Sequence, residues 1–193
     1  ENYLKKLHGC FNKSNIKSIE YLAKTLHEVW TNGKNVYICG NGGSAANAIH
    51  IANDLHYGIG ACGGEPILPG LRVEALSSNS GVITCIGNDT GYENIYSHQL
   101  EVKGHKGDLL IALSGSGNSK NILKALETAK RKNIYSYAIL AYKGGEAIGI
   151  ADQTIHFKIN DMKIAEDTQL IVGHMCMQWL NENKPITLKT INI

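Results

Sequence analysis

The chain has 193 residues, 43% hydrophobic and 19% charged, with a formal net charge of +2. That length suits one domain of roughly 100–200 residues, and the composition excludes a disordered chain. The near-neutral balance argues against a polyanion binder, so no nucleic-acid partner is expected. From the start, Leu4, Leu7, Phe11, Ile16, Ile19, Leu22, Leu26 and Trp30 recur at three-to-four spacing. This predicts a long N-terminal helix over residues 2–31, irregular near Asn12 to Asn15 and stopped by Asn32-Gly33. Lys34 to Cys39 predicts a strand, Gly40 to Ser44 a glycine-rich turn, and Ala45 to His56 a helix. Gly58 to Gly70 reads as a loop framing a pocket, Arg72 to Leu76 as a strand, and Ser80–Ile86 and Tyr92–Val102 as helices.

Asp108 to Leu113 is a strongly apolar strand that runs into the small polar turn Ser114–Ser119. Helix Lys120–Lys132, strands Ser136–Ala141 and Gln153–Phe157, and a last helix over Lys163–Leu180 complete the order. Five strands that alternate with helices and are apolar on both faces predict an α/β fold. The expected form is a three-layer α/β/α sandwich around a mostly parallel five-stranded sheet, with 1–193 a single domain. Ligands of such sheets bind beyond the carboxyl ends of the strands, where both glycine-rich turns fall.

Lys120, Lys124, Lys130, Arg131 and Lys132 read as a solvated helix face. Cys10, Cys39, Cys62, Cys85 and Cys176 are scattered without a CxxC pair, which reads as reduced thiols of a cytoplasmic protein. No apolar run approaches the roughly 20 residues of a membrane helix, and no signal-peptide pattern stands at the start. Met162, Met175 and Met177 read as core packing; His56, His98 and His105 read as surface or sugar-contact residues.

Ser114-Gly115-Ser116-Gly117-Asn118-Ser119 follows the apolar strand and opens a helix. Its glycines let an anion approach the backbone, its helix start offers free N–H groups, and its three serines add donors. A plain N-cap and turn would use the same residues. The second Gly/Ser turn, Asn41-Gly42-Gly43-Ser44, at another strand end favours phosphate binding, and the lack of GxxxxGK[ST] argues against a nucleoside triphosphate.

Gly40-Asn41-Gly42-Gly43-Ser44-Ala45-Ala46, Ala48-Ile49-His50, Ile86-Gly87-Asn88-Asp89, Gly107-Asp108 through Ser119, and Gly173-His174 together resemble the sugar isomerase (SIS) domain family. Within it, they are similar to the phosphoheptose isomerases (sedoheptulose 7-phosphate isomerases). The resemblance covers nearly the whole chain. It implies a homotetramer with active sites shared between subunits, residues 1–33 serving oligomerisation and 34–193 forming the α/β core. It implies interconversion of sedoheptulose 7-phosphate and D-glycero-D-manno-heptose 7-phosphate for surface-polysaccharide heptose. Phosphate serines fall on Ser114, Ser116 and Ser119, with Gly115 and Asn118 between them. Asn41, Gly42, Gly43 and Ser44 face the sugar, and the family's loop Asp falls on Asp89.

The resemblance also implies a zinc or other divalent metal held by a His, a Glu four residues later, a Gln and a last His. These positions carry His50, Asp54, Glu166 and His174, so Asp stands for Glu and Glu for Gln. An Arg usual shortly after the Glu is replaced near Gly58. His50 and Asp54, at i and i+4, share one helix face and suit zinc. Asp54, His174 and Glu166 are the candidates for proton transfer, and Glu166 also for contact with the substrate. Glu166 and His174 are eight residues apart, about 12 Å along an ideal helix, near the limit for one metal, so either the helix is distorted, or one serves chemistry and the other the metal, or different subunits contribute. The blander readings are a local His50–Asp54 pair, a core histidine at His174, and a Glu166 that favours a helix dipole; Gln169 is a weaker alternative ligand. A non-catalytic SIS protein that binds a sugar phosphate or a replication initiator is the competing function.

Overall fold

The computed structural model describes residues 1–186 apart from 61 and 63. The expected loop 58–70 therefore lies partly, and the last residues of the expected domain wholly, outside the described residues. The chain opens with two helices where one long helix is expected: α1 (Asn2–Cys10) and α2 (Lys13–Thr31). Asn12 makes the break, because its Oδ1 accepts the backbone N–H groups of Ser14 and Asn15, both at 3.0 Å, and starts α2 anew. Then follow β1 (Asn35–Gly40), α3 (Gly43–Asn53), β2 (Arg72–Ala75), α4 (Ser80–Thr90) and α5 (Ser97–Lys103). The second half is β3 (Leu109–Ser114), α6 (Lys120–Lys132), β4 (Tyr135–Leu140), α7 (Ala147–Ile150), β5 (Gln153–His156) and α8 (Met162–Glu182). The short α7 has no counterpart in the sequence reading, since four residues are too few to show a period.

The five strands pair in the order β2-β1-β3-β4-β5, and every pairing is parallel. Alternate residues serve opposite faces. Val36, Ile38, Leu109, Ile111 and Leu113 join one buried cluster with α2, α3 and α8. Tyr37, Cys39, Leu110 and Ala112 join the other with α5 and α6. The period-two split of a sheet buried on both faces thus produces the expected three layers. Each fully buried Leu or Ile contributes about 1.5–3 kcal/mol, so the α6 face of Ile122, Leu126 and Ala129 is a firm mount for the turn before it. By contrast α4 has no fully buried residue; its Ile83 and Ile86 pack half-buried against the second cluster.

Successive strands run outward from β1 in one direction to β2 and in the other to β3, β4 and β5. The gap between β1 and β3 is therefore the topological switch point, where a crevice opens at the carboxyl ends. Gly40 pairs with Leu113, so Asn41 and Ser114 leave the sheet side by side into that crevice.

Candidate active site

Two helix N-termini border the crevice. The N-cap of α3 is Gly42 (φ 57°) and that of α6 is Ser119; neither has a side-chain cap bond. Both starts therefore keep backbone N–H groups and the positive end of a helix dipole for an incoming anion. The second turn is held from within. Ser114 Oγ, buried, accepts the Gly117 N–H at 3.1 Å, and Ser116 Oγ accepts the Asn118 N–H at 3.3 Å. Asn118 turns outward and its Oδ1 accepts the Glu146 N–H at 3.0 Å, tying the turn to the start of α7. Gly117 (φ 68°) is required here, because a Cβ would stand 2.0 Å from the Gly144 carbonyl oxygen. Met162 is 41% exposed and its sulfur lies against Gly115, so it covers the turn instead of filling the core. Met175 and Met177 do pack against the core.

The first turn has an amide network that the sequence reading missed. Asn41 and Asn121 exchange side-chain hydrogen bonds at 2.9 and 2.8 Å, and the Tyr92 hydroxyl donates to Asn41 Oδ1 at 3.1 Å. One signal for Asn121 was visible: it shares the apolar face of α6 with Ile122, Ala125 and Ala129, where a polar residue needs a partner. Ser44 is buried in the first turn of α3.

His50 lies in the last turn of α3, and Asp54 opens a π-helical turn, Asp54–Gly58, where the sequence predicts continued α-helix to His56. Such turns concentrate at functional sites. Across from them, α8 supplies His174. The three side chains form a triangle: His50 Nε2 to His174 Nε2 3.1 Å, His50 Nε2 to Asp54 Oδ2 3.3 Å, His174 Nε2 to Asp54 Oδ2 3.4 Å. A tetrahedral zinc with bonds of 2.0–2.1 Å needs ligand atoms about 3.3 Å apart, so the spacing of this donor set fits the ion. Both imidazoles are 50% exposed and Asp54 is 14% exposed. His174 is thus a member of an open site and not a core histidine.

Glu166 does not enter the triangle among the described residues. Helix α8 is unbroken, so the eight-residue spacing keeps Glu166 about two turns nearer the helix start than His174. Its carboxylate instead lies over the start of α3, where a Cβ on Gly43 would stand 2.4 Å from Oε1. Its carbonyl accepts from Asn47 Nδ2 at 2.8 Å, and that same Nδ2 donates to the buried Gln169 at 3.2 Å, which occupies Gln169 structurally. Asp89 lies in α4, not in a loop, exposed and bonded to Asn88 Nδ2 at 2.8 Å. His56, His98 and His105 are exposed, and so is Cys62. Burial pushes the Cys39 thiol, just before the first turn, up to about 12, so it stays protonated and unreactive.

A family profile described as the SIS domain matches residues 2–141. The chain belongs to the SIS domain family. Its relatives place it more narrowly, in the phosphoheptose isomerase subgroup. It is 35% identical over 184 residues to the phosphoheptose isomerase of Aneurinibacillus thermoaerophilus, covering 90% of this chain and 87% of the relative. It is 36% identical over 187 residues to the DnaA initiator-associating protein DiaA of Edwardsiella ictaluri, covering 90% and 93%. Phosphoheptose isomerase GmhA from Neisseria gonorrhoeae superposes with a TM-score of 0.85 over 94% of both chains; at 23% identity that likeness concerns the fold.

Proposed function

We propose that the chain is an aldose–ketose isomerase that interconverts sedoheptulose 7-phosphate and D-glycero-D-manno-heptose 7-phosphate for surface-polysaccharide heptose. The observation that carries this reading is the His50–Asp54–His174 triangle at the far end of α3, the helix that starts at the switch-point crevice. The names of the isomerase relatives support the reaction class.

In this reading the α6 start takes the phosphate, with the Ser116 and Ser119 hydroxyls as added donors, while Ser114, Gly115 and Asn118 hold the turn in shape. Asn41, Gly42, Gly43 and Ser44 line the sugar. Residues 1–33 and the exposed face of α4 bind further copies of the chain in a homotetramer, and Asp89 reaches a site shared between subunits. His50, Asp54 and His174 hold zinc or another divalent ion. When bound, such an ion would supply Lewis-acid polarisation of the sugar carbonyl. Glu166 removes the proton beside the carbonyl and returns it to the neighbouring carbon. Asp54 and His174 are the candidates to carry the oxygen-bound proton, which must also move, through atoms not engaged with the ion. The scattered thiols favour a cytoplasmic location; among the described residues no helix is long and apolar enough to cross a membrane.

The similarity to DiaA favours one second reading, a regulatory SIS protein that binds a partner protein through an apolar surface such as α4. A turnover screen over phosphorylated C5 to C7 ketoses with added zinc separates the two. The isomerase reading expects conversion of sedoheptulose 7-phosphate, abolished by a chelator and restored by zinc. No turnover with any ketose would remove it.

A further inference from the structure

The amide network in the crevice wall has a chemical consequence for what the crevice can bind. Asn121, second residue of α6, is 1% exposed. Its Nδ2 donates to Asn41 Oδ1 at 2.8 Å, and Asn41 Nδ2 donates back to Asn121 Oδ1 at 2.9 Å. Tyr92 adds a hydroxyl donor to Asn41 Oδ1 at 3.1 Å. The Tyr96 hydroxyl stands 3.4 Å from the same oxygen while donating to the Gly40 carbonyl. A side-chain amide has two lone pairs on oxygen and two protons on nitrogen. Asn41 Oδ1 is therefore filled by protein donors, and one of its two Nδ2 protons is committed to Asn121. A single N–H is left.

We propose that Asn121 and Tyr92 lock the Asn41 amide so that it meets the ligand only as a hydrogen-bond donor. Asn121 is then a positioning residue, and the position it sets selects an acceptor oxygen of the sugar phosphate, carbonyl or phosphoryl, over a hydroxyl acting as donor. A flipped Asn41 would turn its NH2 toward the Asn121 NH2 and leave buried donors unpaired, which costs more than an ordinary hydrogen bond contributes. The burial of Asn121 keeps out water that would otherwise repair the mismatch. This selection rests on the isomerase reading, whereas the lock itself does not.

The test uses Asn121→Asp, which keeps the shape and replaces the donor by an acceptor, and Tyr92→Phe, which removes one exposed hydroxyl. With sedoheptulose 7-phosphate, kcat/KM is expected to fall about tenfold for the first and about threefold for the second, in line with one charged or neutral hydrogen bond lost. Both losses are expected to vanish in an Asn41→Ala background, which a merely structural role would not produce. Full multiplication of the losses with that of Asn41→Ala, or a folded Tyr92→Phe with unchanged kcat/KM, would overturn the proposal. NMR of 15N-asparagine-labelled protein reads the lock without turnover. One Asn41 Nδ2 proton, the one donated to Asn121 Oδ1, is expected to be protected from exchange and the other not. Equal exchange of both protons in the wild type overturns the lock, whereas absent turnover with the protection intact overturns only the isomerase reading.

Discussion

His50 and His174 bring their Nε2 atoms to 3.1 Å across 124 residues of sequence, and Asp54 completes the set from four residues away. The His50–Asp54 half was legible, because i, i+4 residues of a helix meet whatever the tertiary structure. The His174 half came only through the family resemblance, because it depends on how α8 crosses α3. Helical geometry flagged the Glu166–His174 spacing as a strain on one metal site without choosing its outcome; in the structure one faces the start of α3 and the other the triangle. Asp54 is the residue on which both imidazoles converge, so Asp54→Asn is expected to be the sharpest single change. It removes the charge that balances a dication while keeping the size. The expected result is loss of retained zinc after dialysis and a fall in kcat/KM of at least about a hundredfold, or roughly 2.7 kcal/mol of transition-state stabilisation. Metal analysis and steady-state kinetics on the same preparation check it.

Among the elements, α3 and α6 share one trait that decides function: each begins at the crevice without a side-chain cap bond. An N-cap serine ordinarily contributes about 1 kcal/mol of stability through such a bond. Ser119 makes none, so Ser119→Ala is expected to leave the thermal midpoint within about 1 °C, corresponding to less than about 0.5 kcal/mol for a domain of this size. The same variant is expected to lose most of the stabilisation that added inorganic phosphate gives the wild type. Thermal melts with and without phosphate measure both effects. The bounds of α6 were readable to the residue, because its amphipathic period is strong and Asn133 ends it in the left-handed region (φ 56°). The break at Asn12 showed only as an irregular spacing. The π turn at Asp54 left no mark in the sequence, since its wider hydrogen-bonding is set by packing against neighbouring elements and not by residue type.

At the scale of the whole molecule, one parallel sheet with its switch point between β1 and β3 sets the two polar turns side by side, an outcome the alternation of strands and helices predicted in kind though not in strand order. The same two-sided burial gives the molecule a pH limit. Burial pushes the Cys39 and Cys176 thiols from 9.0 up to about 12, and burial followed by Asp108 and Glu74 pushes Tyr37 from 10.0 up to about 12. A raised value means that the folded state holds its proton longer than the unfolded chain does. Stability from these groups is therefore complete below pH 9 and falls as pH rises from 9 toward 12, by about 1.4 kcal/mol per unit for each group in play. Denaturant melts between pH 7 and 11 are expected to be flat at first and then to drop in that window. The central claim, that this sheet presents a metal-dependent sugar-phosphate isomerase site, is tested most directly by one measurement: zinc content and sedoheptulose 7-phosphate turnover, assayed together in the wild type and in His50→Ala. Stoichiometric zinc with turnover in the wild type, and loss of both in a folded His50→Ala, is the predicted result. Turnover that persists in His50→Ala, or a wild type that binds no zinc and converts no substrate, would contradict it.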